Sequence, residues 1–173
     1  MPTSYQAPMA GDKAKQASSS QSIENNMQTE AVRIKHLLAQ KDQTVITIAE
    51  TDTLPAAVQI LRDKRIGALV VTNSDGDLTG ILSERDIVRK LAETPGQTLP
   101  QTVAENMTRD VVTCGTQDTL VEVLRSMSEG RFRHMPVVEA GMLKGMVTIG
   151  DVVNYRLNEL EHEALQLKQL IVG

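Results

Sequence analysis

Gly80-Ile81-Leu82-Ser83-Glu84-Arg85-Asp86 and Gly145-Met146-Val147-Thr148-Ile149-Gly150-Asp151 decide how this chain is read. Each runs Gly, two apolar residues, a hydroxyl residue, two variable residues and Asp, and matching positions lie 65 residues apart. Each follows a turn and a short strand pattern and opens a helix pattern. A hydroxyl and a carboxylate at this spacing fall on one side of a helix's first turn. Backbone N–H groups there lack intrahelical partners, so the place favours an anion. The spacing is also that of a capping box, and the two roles are compatible.

Working outward, the surroundings of the two motifs also repeat. Residues 44–49 are β-branched and read as a strand. Asp52 or Thr53 offers a cap and Pro55 suits a first helical turn, with Leu54, Val58 and Leu61 on one face. Residues 67–72 read as a buried strand, 73–77 as a hairpin turn, 78–82 as the return strand and 83–93 as a helix. Val111-Val112-Thr113 then echoes Val45-Ile46-Thr47, Thr119-Leu120 echoes Thr53-Leu54, and Val137-Val138 echoes Val70-Val71. The chain therefore contains two β-α-β-β-α repeats. Each alone would have a marginal core. Packed together about a pseudo-two-fold axis, they form two equivalent clefts. The fold class is α+β. The expected divisions are a disordered tail at 1–29, repeats at 30–93 and 102–156, a linker at 94–101 and a C-terminal helix at 157–173. In that helix Leu157, Leu160, Ala164, Leu167 and Ile171 share a stripe, which either packs on its own domain or forms a seam in a dimer.

Composition narrows the function. The chain has 173 residues, 40% hydrophobic but only 2% aromatic, with a formal net charge of -4. Few aromatics and an acidic balance argue against nucleic acid as a partner. No apolar run reaches the roughly 18 residues of a membrane span, and the N-terminus lacks the apolar core of a signal peptide. Cys114 has no second cysteine to pair with, which fits a reducing, cytoplasmic setting. His36, His134 and His162 lack partners at metal-ligand spacing, so no metal site is expected. No nucleophile and base stand together, and the expectation is a non-enzyme.

The paired motifs, the strands Ala68-Leu69-Val70-Val71 and Met135-Pro136-Val137-Val138, and Asn106-Met107-Thr108 resemble a tandem pair of cystathionine-β-synthase (CBS) domains, the Bateman module. The resemblance covers about residues 32–156. Gly130-Arg131-Phe132-Arg133-His134 is similar to a bacterial subfamily of stand-alone CBS pairs, often labelled as related to inosine monophosphate dehydrogenase. That enzyme's activity does not carry over, because no catalytic barrel is present. The resemblance implies a regulatory module with AMP, ATP or NAD(H) as ligand, no obligatory cofactor, a homodimer and an unidentified regulated protein. A ligand-free interaction dimer is the alternative.

Chemistry assigns the candidates. An ionised Asp is acceptor-only and can take both hydroxyls of a ribose, so Asp86 and Asp151 are ribose candidates. Ser83 and Thr148 can donate to a phosphate beside a helix N-terminus. Arg85, Arg131, Arg133 and His134 supply charge, with arginine suited to bidentate phosphate contact. Val45, Thr47, Val111, Thr113, Ile66, Gly67, Ala68, Met135 and Pro136 are candidate walls of an adenine slot, and each also suits plain core. Aligning Val70-Val71 on Val137-Val138 places Arg133 and His134 where the first repeat has Ile66 and Gly67. On that alignment the cleft of Thr148 and Asp151 should hold phosphate more tightly than that of Ser83 and Asp86.

Overall fold

Local chemistry sets the first five elements after a short opening helix. The computed structural model describes residues 32–41 and 44–172. The expected tail at 1–29 lies outside the described residues. Helix α1 spans Ile34–Ala39 and strand β1 Thr47–Ala49, shorter than the β-branched run. Helix α2 spans Leu54–Lys64. Its N-cap is Thr53, whose hydroxyl accepts from Ala56 N at 3.4 Å, and Pro55 sits in the first turn. Strand β2 (Ala68–Thr72) is buried along its apolar run, as a central strand should be. Strand β3 (Leu78–Ser83) returns antiparallel, and helix α3 follows as Glu84–Glu93. Asn73 Oδ1 folds the hairpin by accepting from Asp75 N and Asp77 N, both at 2.9 Å.

The second repeat follows the same order. Helix α4 (Val103–Asn106) precedes helix α5 (Leu120–Gly130), strand β4 (His134–Glu139), strand β5 (Met142–Thr148) and helix α6 (Ile149–Val172). The expected strand at Val111-Val112-Thr113 does not form. Only Cys114 joins β4, giving to Pro136 O at 3.1 Å and accepting from Val138 N at 2.8 Å. Pro136 explains the loss. In the first repeat Val70 N donates to Ile46 O at 3.3 Å. Pro136 holds the place of Val70, opposite Met146 as Val70 is opposite Ile81, and it has no N–H to give.

The same registers correct the alignment of the halves. Val71 faces Gly80 and Val137 faces Gly145, so Val70-Val71 matches Pro136-Val137, not Val137-Val138. The helix ends agree, since α2 and α5 both close on a left-handed arginine, Arg65 (φ 53) and Arg131 (φ 55). The true counterparts are Gly67 with Arg133 and Ala68 with His134. The shorter turn at Ala140-Gly141, both at positive φ, absorbs the difference.

Two cores result, and each borrows a helix from the other repeat's leader. Val103 of α4 is fully buried among Leu54, Leu69 and Leu82 of the first repeat. Ile34, Leu37 and Leu38 of α1 are buried among Leu120, Met127 and Val147 of the second. The unpaired N–H groups of each short helix are met reciprocally. Val103 N donates to Asp52 O at 2.8 Å, and Ile34 N to Asp118 O at 2.9 Å. Residues 32–39, placed by sequence with the first repeat, therefore pack with the second. The linker is anchored by Thr98, fully buried, whose hydroxyl donates to Thr94 O at 2.9 Å. The division expected between 156 and 157 falls inside α6, which runs unbroken. Among the described residues no helix is long and apolar enough to cross a membrane.

Candidate functional site

The first motif forms a closed box at the β3–α3 junction. Ser83 is the N-cap, and its N–H and hydroxyl both donate to Asp86 Oδ2, at 3.1 and 2.5 Å. Asp86 N donates back to Ser83 Oγ at 3.2 Å. The capping role thus leaves the second carboxylate oxygen of Asp86 without a protein donor among the described residues.

This junction is one wall of a cleft of about 680 Å³. The end of α5 and the entry to β4, Gly130 through His134, line it from the second repeat, and Ile81, Thr108 and Asp110 to Val112 complete the lining. Arg85, Arg89, Arg131 and Arg133 line it, opposed by Glu84, Asp86 and Asp110. Arg85 and Arg89 share a face of α3. Arg85 Nη1 donates to Arg131 O at 2.9 Å and links the two repeats. At the cleft's end the His134 ring covers Gly67, where a Cβ would lie 3.0 Å from His134 Cε1. Burial lowers the His134 pKa, against the Asp151 and Glu84 charges that raise it, with Lys41 and Arg133 lowering it further. The ring is therefore a neutral group at pH 7.

The second motif has the same box but a different neighbour. Thr148 N donates to Asp151 Oδ2 at 2.8 Å, and Asp151 N to Thr148 Oγ1 at 3.1 Å. Lys41 Nζ reaches in to donate to the same Oδ2 at 2.6 Å and to Met146 O at 3.1 Å. Burial works to raise the Asp151 pKa, but the Lys41 and Thr148 hydrogen bonds and the ammonium charge outweigh it and hold the carboxyl low.

The structure thus brings Ser83, Arg85, Asp86, Gly67, Val111, Arg131, Arg133 and His134 into one cleft. The basic cluster faces Ser83 and Asp86, not Thr148 and Asp151 as the sequence alignment implied. The reason is topological: the end of α5 abuts the start of α3 from the other repeat. Thr148 and Asp151 lie outside this cleft. Ala68, Met135 and Pro136 are buried, Ile66 packs against the first core, Val45 is half-buried, and Thr47 and Thr113 are exposed. Sequence reasoning missed Glu84, Arg89, Thr108, Asp110, Phe132 and Lys41. Helical spacing from Arg85 signals Arg89; nothing local signals Lys41. No group of three metal-ligating side chains occurs among the described residues.

Two matched repeats with exchanged helices and an arginine-walled cleft between them define a paired-domain ligand-binding module. The CBS domain profile matches residues 41–93 and 102–158, and the chain belongs to that family. Pairs of this family are generally regulatory ligand-binding modules. A CBS-domain protein of Agrobacterium tumefaciens is 40% identical, with a TM-score of 0.71 over 75% of this chain and 96% of its own. The CBS pair of a protein solved in complex with 5′-methylthioadenosine and S-adenosyl-L-methionine is 27% identical, with a TM-score of 0.66 over 75% of this chain and 98% of its own. The mitochondrial CBS domain-containing protein CBSX3 of Arabidopsis thaliana is 32% identical over 70% of this chain and 61% of its own. The chain spans 33%, 39% and 61% of the length of three curated relatives.

Proposed function

We propose that this chain is a non-catalytic sensor that binds an adenine ribonucleotide in the Ser83–Asp86 cleft and passes its occupancy to a partner protein as a homodimer. AMP, ATP and NAD(H) are the candidate ligands. The observation that carries the reading is the convergence of Arg85, Arg89, Arg131 and Arg133 on a cleft that also holds an available Asp86 oxygen. Phosphate needs the first, and a ribose diol needs the second. The adenosine ligands of the related CBS pair support the class. Val111, Val112 and Ile81 supply the apolar part of the lining for the base.

In this reading Asp86 binds ribose, the arginines bind phosphate, and the Thr148–Asp151 box is held by Lys41. One ligand per chain is the result. Calorimetric titration of AMP, ATP, NAD and NADH, with S-adenosylmethionine alongside, tests it. The expectation is saturable binding with one site, weakened roughly tenfold or more by a 2′-deoxy analogue, since a hydrogen bond to a charged group contributes about 1.5–3 kcal/mol. Asp86→Asn, which keeps a capping acceptor, should remove that discrimination. Equal affinity for ribo- and deoxynucleotides would end the ribose role, and no binding by any of the five would end the sensor reading.

A further inference from the structure

Helix α6 carries Val153, Leu157, Leu160, Ala164, Leu167 and Ile171, spaced alternately four and three residues apart. That alternation is the a/d pattern of a two-stranded coiled coil. The row is bare. Leu157 is 52% exposed, Leu160 54%, Leu167 61% and Ile171 83%. The helix is held to the body by other residues, the buried Val152 and the packed Ile149 and Tyr155. At about 100° per residue the bare row lies roughly a quarter turn around the axis from those anchors. The body therefore leaves it open to an approaching helix.

The flanking charges choose the occupant and its direction. With Leu157 as an a position, Arg156 and Glu163 are g positions, and Glu161 and Lys168 are e positions. In a parallel, in-register pair a g residue faces the following e residue of the other chain. Arg156 then meets Glu161 of the partner subunit, and Glu163 meets Lys168 of the partner subunit. Both contacts join opposite charges, and each occurs twice. An antiparallel overlap of the same row brings Glu161 towards its own copy and Glu163 towards its own copy, which repel. Leu170, also exposed, widens the apolar row near its end.

We propose that α6 pairs in parallel and in register with α6 of a second copy of this chain. This rests on the homodimer reading and adds the surface, the direction and the register. From Val153 to Ile171 the row is about 27 Å long at 1.5 Å per residue. A seam of this length is weak by itself, so the association depends on concentration.

The test uses the full chain in sedimentation equilibrium. The wild type should pass from monomer to dimer with concentration, and Leu160→Glu with Leu167→Glu should raise the dissociation constant more than tenfold. Glu163→Lys should weaken the dimer and Glu163→Lys with Lys168→Glu should restore it. Leu157→Cys should oxidise to a disulfide with its own copy, while the buried Cys114 stays out of the reaction. A wild type that is monomeric throughout overturns both the dimer and the seam. A dimer that ignores the two Leu→Glu changes keeps the dimer and overturns the seam. Cross-linking of Leu157→Cys only to a chain carrying Leu167→Cys overturns the parallel direction.

Discussion

Lys41 Nζ lies 2.6 Å from Asp151 Oδ2, whereas Asp86 takes its hydrogen bonds from Ser83 alone among the described residues. Two sites of one ancestry in sequence have thus become different in chemistry. One carboxylate faces an arginine-walled cleft, and the other carries an internal cation.

Lys41→Met should therefore add a second, ribose-dependent binding event to the first. Calorimetric stoichiometry measures it. A stoichiometry that stays at one, with affinity unchanged, would deny Lys41 any gating role, and a loss of binding would make it a ligand contact. Without ligand the variant should lose about 1 kcal/mol, because the Lys41 side chain is 35% exposed and its ion pair is partly screened. Asp151 has a folded pKa below its ordinary 3.8, so its contribution is present above that pH and is lost as pH falls through the folded value.

Histidine 134 sets a milder pH dependence. Its folded pKa lies below the ordinary 6.5 because burial disfavours the cation. The unfolded chain takes the proton first, so the stabilisation is complete above pH 6.5 and erodes as pH falls towards the folded value. The slope from one such group is at most about 1.4 kcal/mol per pH unit. Melting temperatures from pH 7.5 to 5 should fall for the wild type and fall less for His134→Asn. Parallel curves would remove His134 as the cause.

Close approach at the exchanged helices makes two glycines sensitive. A Cβ on Gly145 would lie 2.8 Å from Leu38 Cδ2, and one on Gly80 would lie 2.5 Å from Met107 Sδ and 3.1 Å from Thr108 O. Overpacking typically costs about 1–3 kcal/mol. Gly80→Ala should cost more than Gly145→Ala, because a backbone oxygen yields less readily than a leucine methyl. Urea unfolding midpoints read the order, and a reversed order would count against the packing argument.

Cys114 should be inert in the folded chain. Burial first, and the Asp118 charge second, push its thiol up to about 12. The thiolate is the reactive form. Alkylation by iodoacetamide at pH 8 should be slow under native conditions and rise steeply in denaturant. Fast native labelling would show that the residue opens without global unfolding.

Much of this protein was legible from its residues because the signals are local. Thr53, Ser83 and Thr119 cap helices within three residues of themselves, and Asn73 folds its hairpin within four. The repeat itself follows from such signals occurring twice. The strand lost before Cys114 was legible only in part: Pro136 announces a missing donor, but only the register shows which bond it removes. The Val-Val pairs misled the alignment, since side-chain identity carries no register and the opposing glycines do.

The site needed tertiary structure. Ser83 and Asp86 were evident as a pair, yet Arg85 meets Arg131 across 46 residues and Lys41 meets Asp151 across 110. Sequence determined that two hydroxyl–carboxylate boxes exist, because a capping box is built within one helical turn. Which box faces the arginines, and which is closed by a lysine, was decided by how the two repeats dock. A side chain's partners at that distance depend on packing between elements, and periodicity within an element does not encode it.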